Sequence, residues 1–147
     1  MKESVLFVDD DPQMLDALRD SLRREPYEVV TAGSAAEGLA ILASRPIDVV
    51  VSDERMPGMT GSAFLAEVRR KHARTIRIIL TGQASLDGAI RAINDGEIYR
   101  FLVKPCAPLQ VARTVRDALL LRGLAREGVP AALRDAADRR RRAPPDA

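Results

Sequence analysis

Residues 47–61, with the sequence IDVVVSDERMPGMTG, decide the fold. Their first half is an apolar run rich in β-branched residues, which is typical of a buried strand. The run breaks off at Asp53, and the Pro57-Gly58 pair beyond it is typical of a loop. In open parallel sheets, ligands and chemistry gather outside the carboxyl ends of the strands, so Asp53 is a candidate reactive group. On this stretch alone, a turn former or a helix cap is the more common role for such an Asp.

The length and composition allow one domain with a hydrophobic core, since the chain has 147 residues of which 46% are hydrophobic. The net charge is +2, but residues 122–147 hold seven arginines and four acids, or +3, which leaves −1 for the body. That balance argues against a nucleic-acid-binding core. A single cysteine, Cys106, excludes an internal disulfide, and no apolar run reaches the about 18 to 20 residues of a membrane span. The N-terminus does not read as a secretory signal. We therefore expect a cytoplasmic protein that binds neither membranes nor nucleic acid directly.

Five predicted strands alternate with five predicted helices. The strands are expected at residues 4–8, 27–32, 47–52, 76–80 and 99–103, and the helices are expected to begin near residues 12, 35, 62, 85 and 108. Asp11 is expected to cap the first helix, and Ser34 with Glu37 has the spacing of a capping box for the second. The alternation predicts an α/β fold with a parallel sheet and helices on both faces.

Polar side chains stand where four of these strands end, namely at Asp9 and Asp10, Asp53, Thr81 and Lys104. The carboxyl ends of parallel strands open on one edge of a sheet, so these side chains should converge. Three adjacent carboxylates repel one another unless a cation intervenes, and Mg²⁺ is a hard cation that prefers such oxygen ligands. Lys104 adds a second positive charge. The site could then offset the charge of a phosphoryl group on Asp53, because an Asp carboxylate is an accepted nucleophile in phosphoryl transfer.

Four motifs in this order and spacing resemble the receiver domain of bacterial two-component response regulators: VDDDP at 8–12, SDERMPGMTG at 52–61, LTG at 80–82 and VKP at 103–105. The resemblance covers residues 4–121. It implies a flavodoxin-like (CheY-like) doubly wound sheet with strand order 2-1-3-4-5, and a phosphoacceptor signalling domain that promotes its own phosphorylation and dephosphorylation rather than an enzyme. It also implies roles for seven residues: Asp53 as phosphoacceptor, Asp10 as direct Mg²⁺ ligand, Asp9 as its acidic partner, the Arg55 backbone carbonyl as a further ligand, Lys104 as the partner of the phosphoryl oxygens, and Thr81 and Phe101 as switch residues.

The resemblance further implies a sensor histidine kinase or a phosphotransfer protein as phosphodonor. Residues 80–101 are most similar to receivers attached to cyclic-di-GMP phosphodiesterases or hydrogenase-type transcription regulators. No such output domain follows here, so we expect a stand-alone receiver at residues 1–122 with a flexible tail at 123–147. Its signal should leave through the face formed by helix four, strand five and helix five, towards a downstream protein or a second copy of the chain.

Parts of the sequence suggest three other functions. The VDDDP motif also resembles the nucleophile motif of haloacid-dehalogenase-type phosphatases, in which Asp9 would be the nucleophile and Asp11 the acid/base. Gln13, in place of a Thr or Val, and the lack of an acidic pair after Lys104 argue against this function. The second alternative is binding of DNA through the tail, but the segment after residue 121 is too short for a helix-turn-helix. The last alternative is a phosphate sink, which drains a kinase without a direct output.

Overall fold

The computed structural model describes residues 2–82, 86–94 and 98–126. Within these ranges, a five-stranded parallel sheet is flanked by five helices. None of these helices has the length and apolar character to cross a bilayer. The elements are β1 Ser4–Val8, α1 Pro12–Ser21, β2 Glu28–Ala32, α2 Ala35–Ser44, β3 Val49–Asp53, α3 Gly61–Lys71, β4 Ile76–Thr81, α4 Leu86–Asn94, β5 Arg100–Val103 and α5 Pro108–Arg126.

The strand order is β2-β1-β3-β4-β5, which confirms the predicted fold class and order. The order reverses beside β1, because the chain first adds β2 on one side of it and then returns to place β3 on the other. Such a reversal opens a crevice at the carboxyl ends of the two central strands. The register pairs Val8 with Ser52, Asp53 with Leu80, and Thr81 with Val103, so the ends of all four strands lie level.

Two hydrophobic layers cover the sheet, one on each face. The first lies under α1 and α5, where Leu15, Leu18 and Leu22 form the buried stripe of the first helix. The second lies under α2, α3 and α4, and its centre is Phe64, fully buried together with Leu65 and Val68 of α3. Every residue of β1 and β3 is buried, as expected for central strands of a sheet covered on both sides.

The predicted helix caps are confirmed. The Asp11 carboxylate accepts a hydrogen bond from the backbone N–H of Gln13 at 3.0 Å, and the Ser34 hydroxyl accepts one from Glu37 at 3.1 Å. The Glu37 carboxylate accepts from the backbone N–H of Gly33, one residue before the cap.

Several predicted boundaries differ from the structure. The third strand begins at Val49 and ends at Asp53, both later than predicted. It ends later because Asp53 itself pairs with β4. The third helix starts one residue earlier, at Gly61, because Thr60 caps it by accepting a hydrogen bond from the backbone N–H of Ala63.

The fifth helix, Pro108–Arg126, extends beyond residue 121, where it was predicted to stop. The helix continues through Gly123, because a single helical glycine costs only about 1 kcal/mol, which the flanking helix formers can offset. The predicted boundary between residues 122 and 123 therefore falls inside a helix. The predicted start of the fourth helix near residue 85 and the tail beyond Arg126 lie outside the described residues.

Candidate functional site

The strand ends bring three carboxylates together. Asp9 and Asp10 follow β1, and Asp53 is the last residue of β3, which lies directly beside β1. One carboxylate oxygen from each residue lies within 4.8 Å of the others. Asp9 is 4% exposed and Asp53 is 7% exposed, whereas Asp10 is open to solvent. The sequence-predicted acidic cluster is therefore present, with two members at the floor of the crevice and one at its mouth.

Lys104 reaches this cluster from the end of β5. Its Nζ lies 2.7 Å from Asp53 Oδ1 and 3.7 Å from Asp9 Oδ2, so it bridges the two buried carboxylates. Its backbone N–H donates to the carbonyl of Thr81 at 2.8 Å, which ties the base of the side chain to β4. Burial acts to lower the pKa of the Lys104 ammonium, but the hydrogen bond and charge of Asp53, with the charge of Asp9, outweigh it and raise the pKa. Lys104 is therefore firmly cationic.

The pKa of Asp9 is raised above its usual value by burial and by the neighbouring carboxylates. Burial raises the pKa of its carboxyl, and the neighbouring Asp53 and Asp10 carboxylates raise it further. The backbone N–H of Asp11, which donates to Asp9 Oδ1 at 2.9 Å, and the charge of Lys104 act in the opposite direction without cancelling the effect. One lysine thus leaves the carboxylates short of positive charge. The residues present fit a divalent, oxygen-preferring cation such as Mg²⁺.

The loop between β3 and α3 is held tightly against Asp53. A Cβ atom on Gly61 would lie 2.1 Å from the Asp53 carbonyl oxygen, so only glycine allows this close approach. Glu54 accepts hydrogen bonds from the backbone N–H and the hydroxyl of Ser62, and its own carbonyl accepts from Gly61 at 2.9 Å. Met56 is 8% exposed and packs into the second hydrophobic layer. The loop therefore fixes the backbone around the acid.

Sequence reasoning missed these supports. There, Gly61, Glu54 and Met56 stand only within the motif at 52–61 and have no separate part in the site. The only signal in the sequence was the pattern Thr60-Gly61-Ser62 ahead of an apolar helix, which is typical of a helix N-terminus.

Thr81 and Phe101 lie on one face of the sheet. Phe101 pairs with Ile79, and Thr81 stands two residues further along β4, so the two are diagonal neighbours. Thr81 is fully buried, and its hydroxyl donates to the Gly82 carbonyl at 3.2 Å. Phe101 is half-buried and packs against the second hydrophobic layer, to which Ala89 and Ile93 of α4 also belong. Phe101 therefore lies between the end of β4 and the buried side of α4.

The three remaining residues singled out from the sequence, Asp11, Arg55 and Cys106, lie outside the carboxylate cluster. Asp11 uses its carboxylate to cap α1, which is not the position of a free acid/base. Arg55 is exposed in the loop after β3, two residues beyond Asp53. Cys106 is half-buried; burial raises the pKa of its thiol, and Sγ lies 3.4 Å from the Gln110 side-chain oxygen. A raised pKa disfavours the reactive thiolate.

The family of response regulator receiver domains matches residues 5–116. This chain belongs to that family. Receiver domains are signalling phosphoacceptors that partner histidine kinases, not classical enzymes, and an acidic triad of this kind is their typical Mg²⁺ site. The membership favours the receiver function over the phosphatase alternative.

Two curated relatives are transcriptional regulators. The hydrogenase transcriptional regulatory protein HoxA of Cupriavidus necator is 40% identical over 121 residues, which cover 82% of this chain and 25% of that protein. The transcriptional regulatory protein GlrR of Escherichia coli is 40% identical over 115 residues, or 78% of this chain and 26% of that protein. The chain thus spans about a quarter of the length of these relatives. HoxA is a hydrogenase-type transcription regulator, one of the two kinds of protein whose receivers residues 80–101 resemble.

Two solved structures are similar over nearly their whole length. A response regulator receiver domain protein from Clostridium thermocellum superimposes with a TM-score of 0.79 at 32% identity, covering 84% of this chain and 98% of that one. The signal receiver domain of an HD domain-containing protein from Pseudomonas fluorescens has a TM-score of 0.79 at 36% identity, covering 86% and 93%.

The contact at Gly61 leads to a prediction. Gly61→Ala should lower the free energy of unfolding by about 1 to 3 kcal/mol, because the new methyl group must displace the Asp53 backbone. It should also slow any chemistry at Asp53. Urea unfolding and a phosphorylation assay measure the two effects. Gly123→Ala is the matched control, since its added Cβ would meet nothing within 4 Å beyond its chain neighbours and its own helix backbone; equal behaviour of the two variants would contradict the constraint.

Proposed function

We propose that this chain accepts a phosphoryl group on Asp53 from a sensor histidine kinase or a phosphotransfer protein, and then changes a protein-binding surface. The observation that carries the proposal is the position of Lys104, whose ammonium group lies 2.7 Å from Asp53 inside a cluster of three carboxylates. This arrangement places a fixed positive charge beside the one acid that ends a central strand.

Asp53 is the best nucleophile of the three acids. Asp10 is exposed and has no contact with Lys104 among the described residues, whereas Asp53 is buried and held by the loop from Glu54 to Gly61. Asp9 is also buried, but its carboxylate already accepts a hydrogen bond from the backbone N–H of Asp11, which occupies one of its oxygens. Precise positioning supplies much of the rate in phosphoryl transfer.

Asp9, Asp10 and Asp53, with the backbone carbonyl of Arg55, would hold Mg²⁺. The bound ion would supply positive charge that offsets the carboxylates and the phosphoryl oxygens together. The support from this chain is the mutual distance of the three carboxylate oxygens, together with the raised pKa of Asp9, which reflects its burial and the charges of Asp53 and Asp10.

In the transfer itself, a carboxylate oxygen of Asp53 attacks the phosphorus atom of a phosphohistidine. The new P–O bond forms as the P–N bond breaks, and the imidazole leaves with the bonding electron pair and takes up a proton. The Lys104 ammonium group, already beside Asp53, would donate to a phosphoryl oxygen as the charge of about −2 arrives on the acid.

Output would pass through Thr81 and Phe101. A phosphoryl oxygen at Asp53 can draw the Thr81 hydroxyl away from the Gly82 carbonyl by offering a charge-assisted hydrogen bond. The neighbouring Phe101 ring, half-buried beside α4, can then move further inward.

The output surface would be made by α4, β5 and α5. Ile90 and Leu109 are 41% and 59% exposed there, while Ala89, inside the predicted face, is fully buried and supports it from beneath. Arg100 on β5 pairs with Asp117 on α5 at 3.0 Å, so these two elements can respond together.

The first test is the identity of the phosphorylated residue. Incubation with a small phosphodonor and Mg²⁺ should label Asp53, and Asp53→Asn should remove the label because the nucleophile is gone. Mass spectrometry of the digested protein locates the adduct. Asp11→Asn is the matched control: Asn is as good a helix cap as Asp, so the fold is kept while the acid/base of the phosphatase alternative is lost. Label on Asp9, or loss of labelling in Asp11→Asn, would support the phosphatase.

The second test concerns the output. Beryllofluoride, a mimic of the phosphoryl group, should shift amide resonances along α4, β5 and α5 as well as around Asp53. Thr81→Ala should bind the mimic and lose the remote shifts, whereas Thr81→Ser, which keeps the hydroxyl, should retain them. Shifts confined to the loops around Asp53 in the wild-type protein would rule out this route and favour a phosphate sink.

A further inference from the structure

A second polar cavity lies at the end of the sheet opposite Asp53. Its volume is about 550 Å³, and it is walled by the segments that precede β3 and β4 together with the ends of α2, α3 and α5. The ionisable residues that line it are four permanent cations, one histidine and one acid: Arg45, Lys71, Arg74, Arg122, His72 and Asp48. The residues that line the cavity therefore carry more positive than negative charge.

Two of the four cations already have acidic partners. Arg45 binds both carboxylate oxygens of Glu28, at 3.3 and 2.6 Å, and Lys71 lies 3.5 Å from Glu67. The acid of the cavity, Asp48, is 7% exposed and accepts the backbone N–H of Ser4 at 2.9 Å.

Arg74 and Arg122 differ from Arg45 and Lys71 in their partners. Within the part of the chain that the structure describes, neither forms an ion pair, and Nε of Arg122 is buried with no hydrogen-bond partner. Burial lowers the pKa of the Arg122 guanidinium, and the nearby charge of Arg74 lowers it further. A buried donor without an acceptor and two guanidinium groups that repel one another both cost free energy. An anion placed between them would remove both costs.

The helix dipole does not explain this arrangement. Basic residues at the end of a helix are favourable, which accounts for Lys71 in the last turn of α3. Arg74 lies beyond that helix in the segment before β4, and Arg122 comes from α5, so the fold brings them to one cavity from distant parts of the sequence.

We propose that this cavity binds a small molecule with two or more phosphate groups. A guanidinium group presents donors in a planar fork that matches phosphate oxygens, and two of them with Lys71 can hold adjacent phosphates. The volume is in the range of small-molecule sites. Leu42, Pro46 and Ile47 form an apolar part of the wall, which suits the organic portion of a phosphate ester.

This site is separate from the phosphoacceptor crevice. Asp48 precedes β3 and Asp53 ends it, so the full length of the strand lies between the two sites. Binding at the basic cavity therefore needs neither the carboxylate cluster nor Lys104, and it would survive even if Asp53 did not accept phosphate.

The full chain should be titrated with ADP and with inorganic pyrophosphate by calorimetry, with EDTA present to prevent metal-dependent binding at the carboxylates. Both probes should bind, and ADP should bind more tightly because of the apolar wall. Arg74→Gln and Arg122→Gln should each raise the Kd roughly tenfold to a hundredfold, since each removes a charge-assisted contact.

Arg113→Gln is the matched control, because it removes the same charge from an exposed position of α5 outside the cavity. It should leave the Kd within about twofold, as expected for a distant, screened charge. Absence of binding, or equal weakening in Arg113→Gln, would overturn the proposal. Tighter binding of a glutamate-rich peptide than of either phosphate would also overturn it and would indicate a protein partner. Phosphorylation of Asp53 should be measured in parallel in the Arg74→Gln variant. This measurement separates a failure of the basic-cavity proposal from a failure of the proposed function.

Discussion

The structure depends on the balance of charge at the carboxyl ends of β1 and β3. Two nearly buried carboxylates, Asp9 and Asp53, share one ammonium group, and the exposed Asp10 adds a third negative charge at the mouth. Burial makes each unpaired charge expensive, since water can no longer screen it fully. Lys104 offsets part of this cost, but burial and the neighbouring carboxylates still raise the pKa of Asp9. A site that is short of positive charge is also one that can respond to a cation and to a phosphoryl group.

The sheet topology maintains the shortage of positive charge around these carboxylates. Asp9 and Asp53 cannot move apart, because β1 and β3 are hydrogen-bonded neighbours with every residue buried between two apolar layers. The contact of Gly61 with the Asp53 carbonyl and the packing of Met56 hold the acid from the loop side. Lys104 is fixed by its backbone bond to Thr81. The acids are therefore held close together from both the strand side and the loop side.

Much of this arrangement could be predicted from the sequence. Apolar runs that stop at Asp9, Asp53, Thr81 and Lys104 are local signals, and a parallel sheet puts the ends of its strands on one edge. The contacts that depend on tertiary approach gave no such signal. Gly61 reads as an ordinary loop glycine until the Asp53 carbonyl is placed against it. Arg74 and Arg122 are 48 positions apart in the sequence, and only the packing of α5 on the sheet brings them to one cavity.

The balance of charge can be measured directly by thermal unfolding of the metal-free protein as Mg²⁺ is added. Binding to the folded state should raise the melting temperature, by the equivalent of about 2.7 kcal/mol when Mg²⁺ is at a hundred times its Kd. Asp10→Asn should remove most of that rise because it removes one carboxylate of the triad, while Asp11→Asn, outside the triad, should keep it. A wild-type melting temperature that does not respond to Mg²⁺, or an Asp10→Asn variant that responds as the wild type does, would contradict this account.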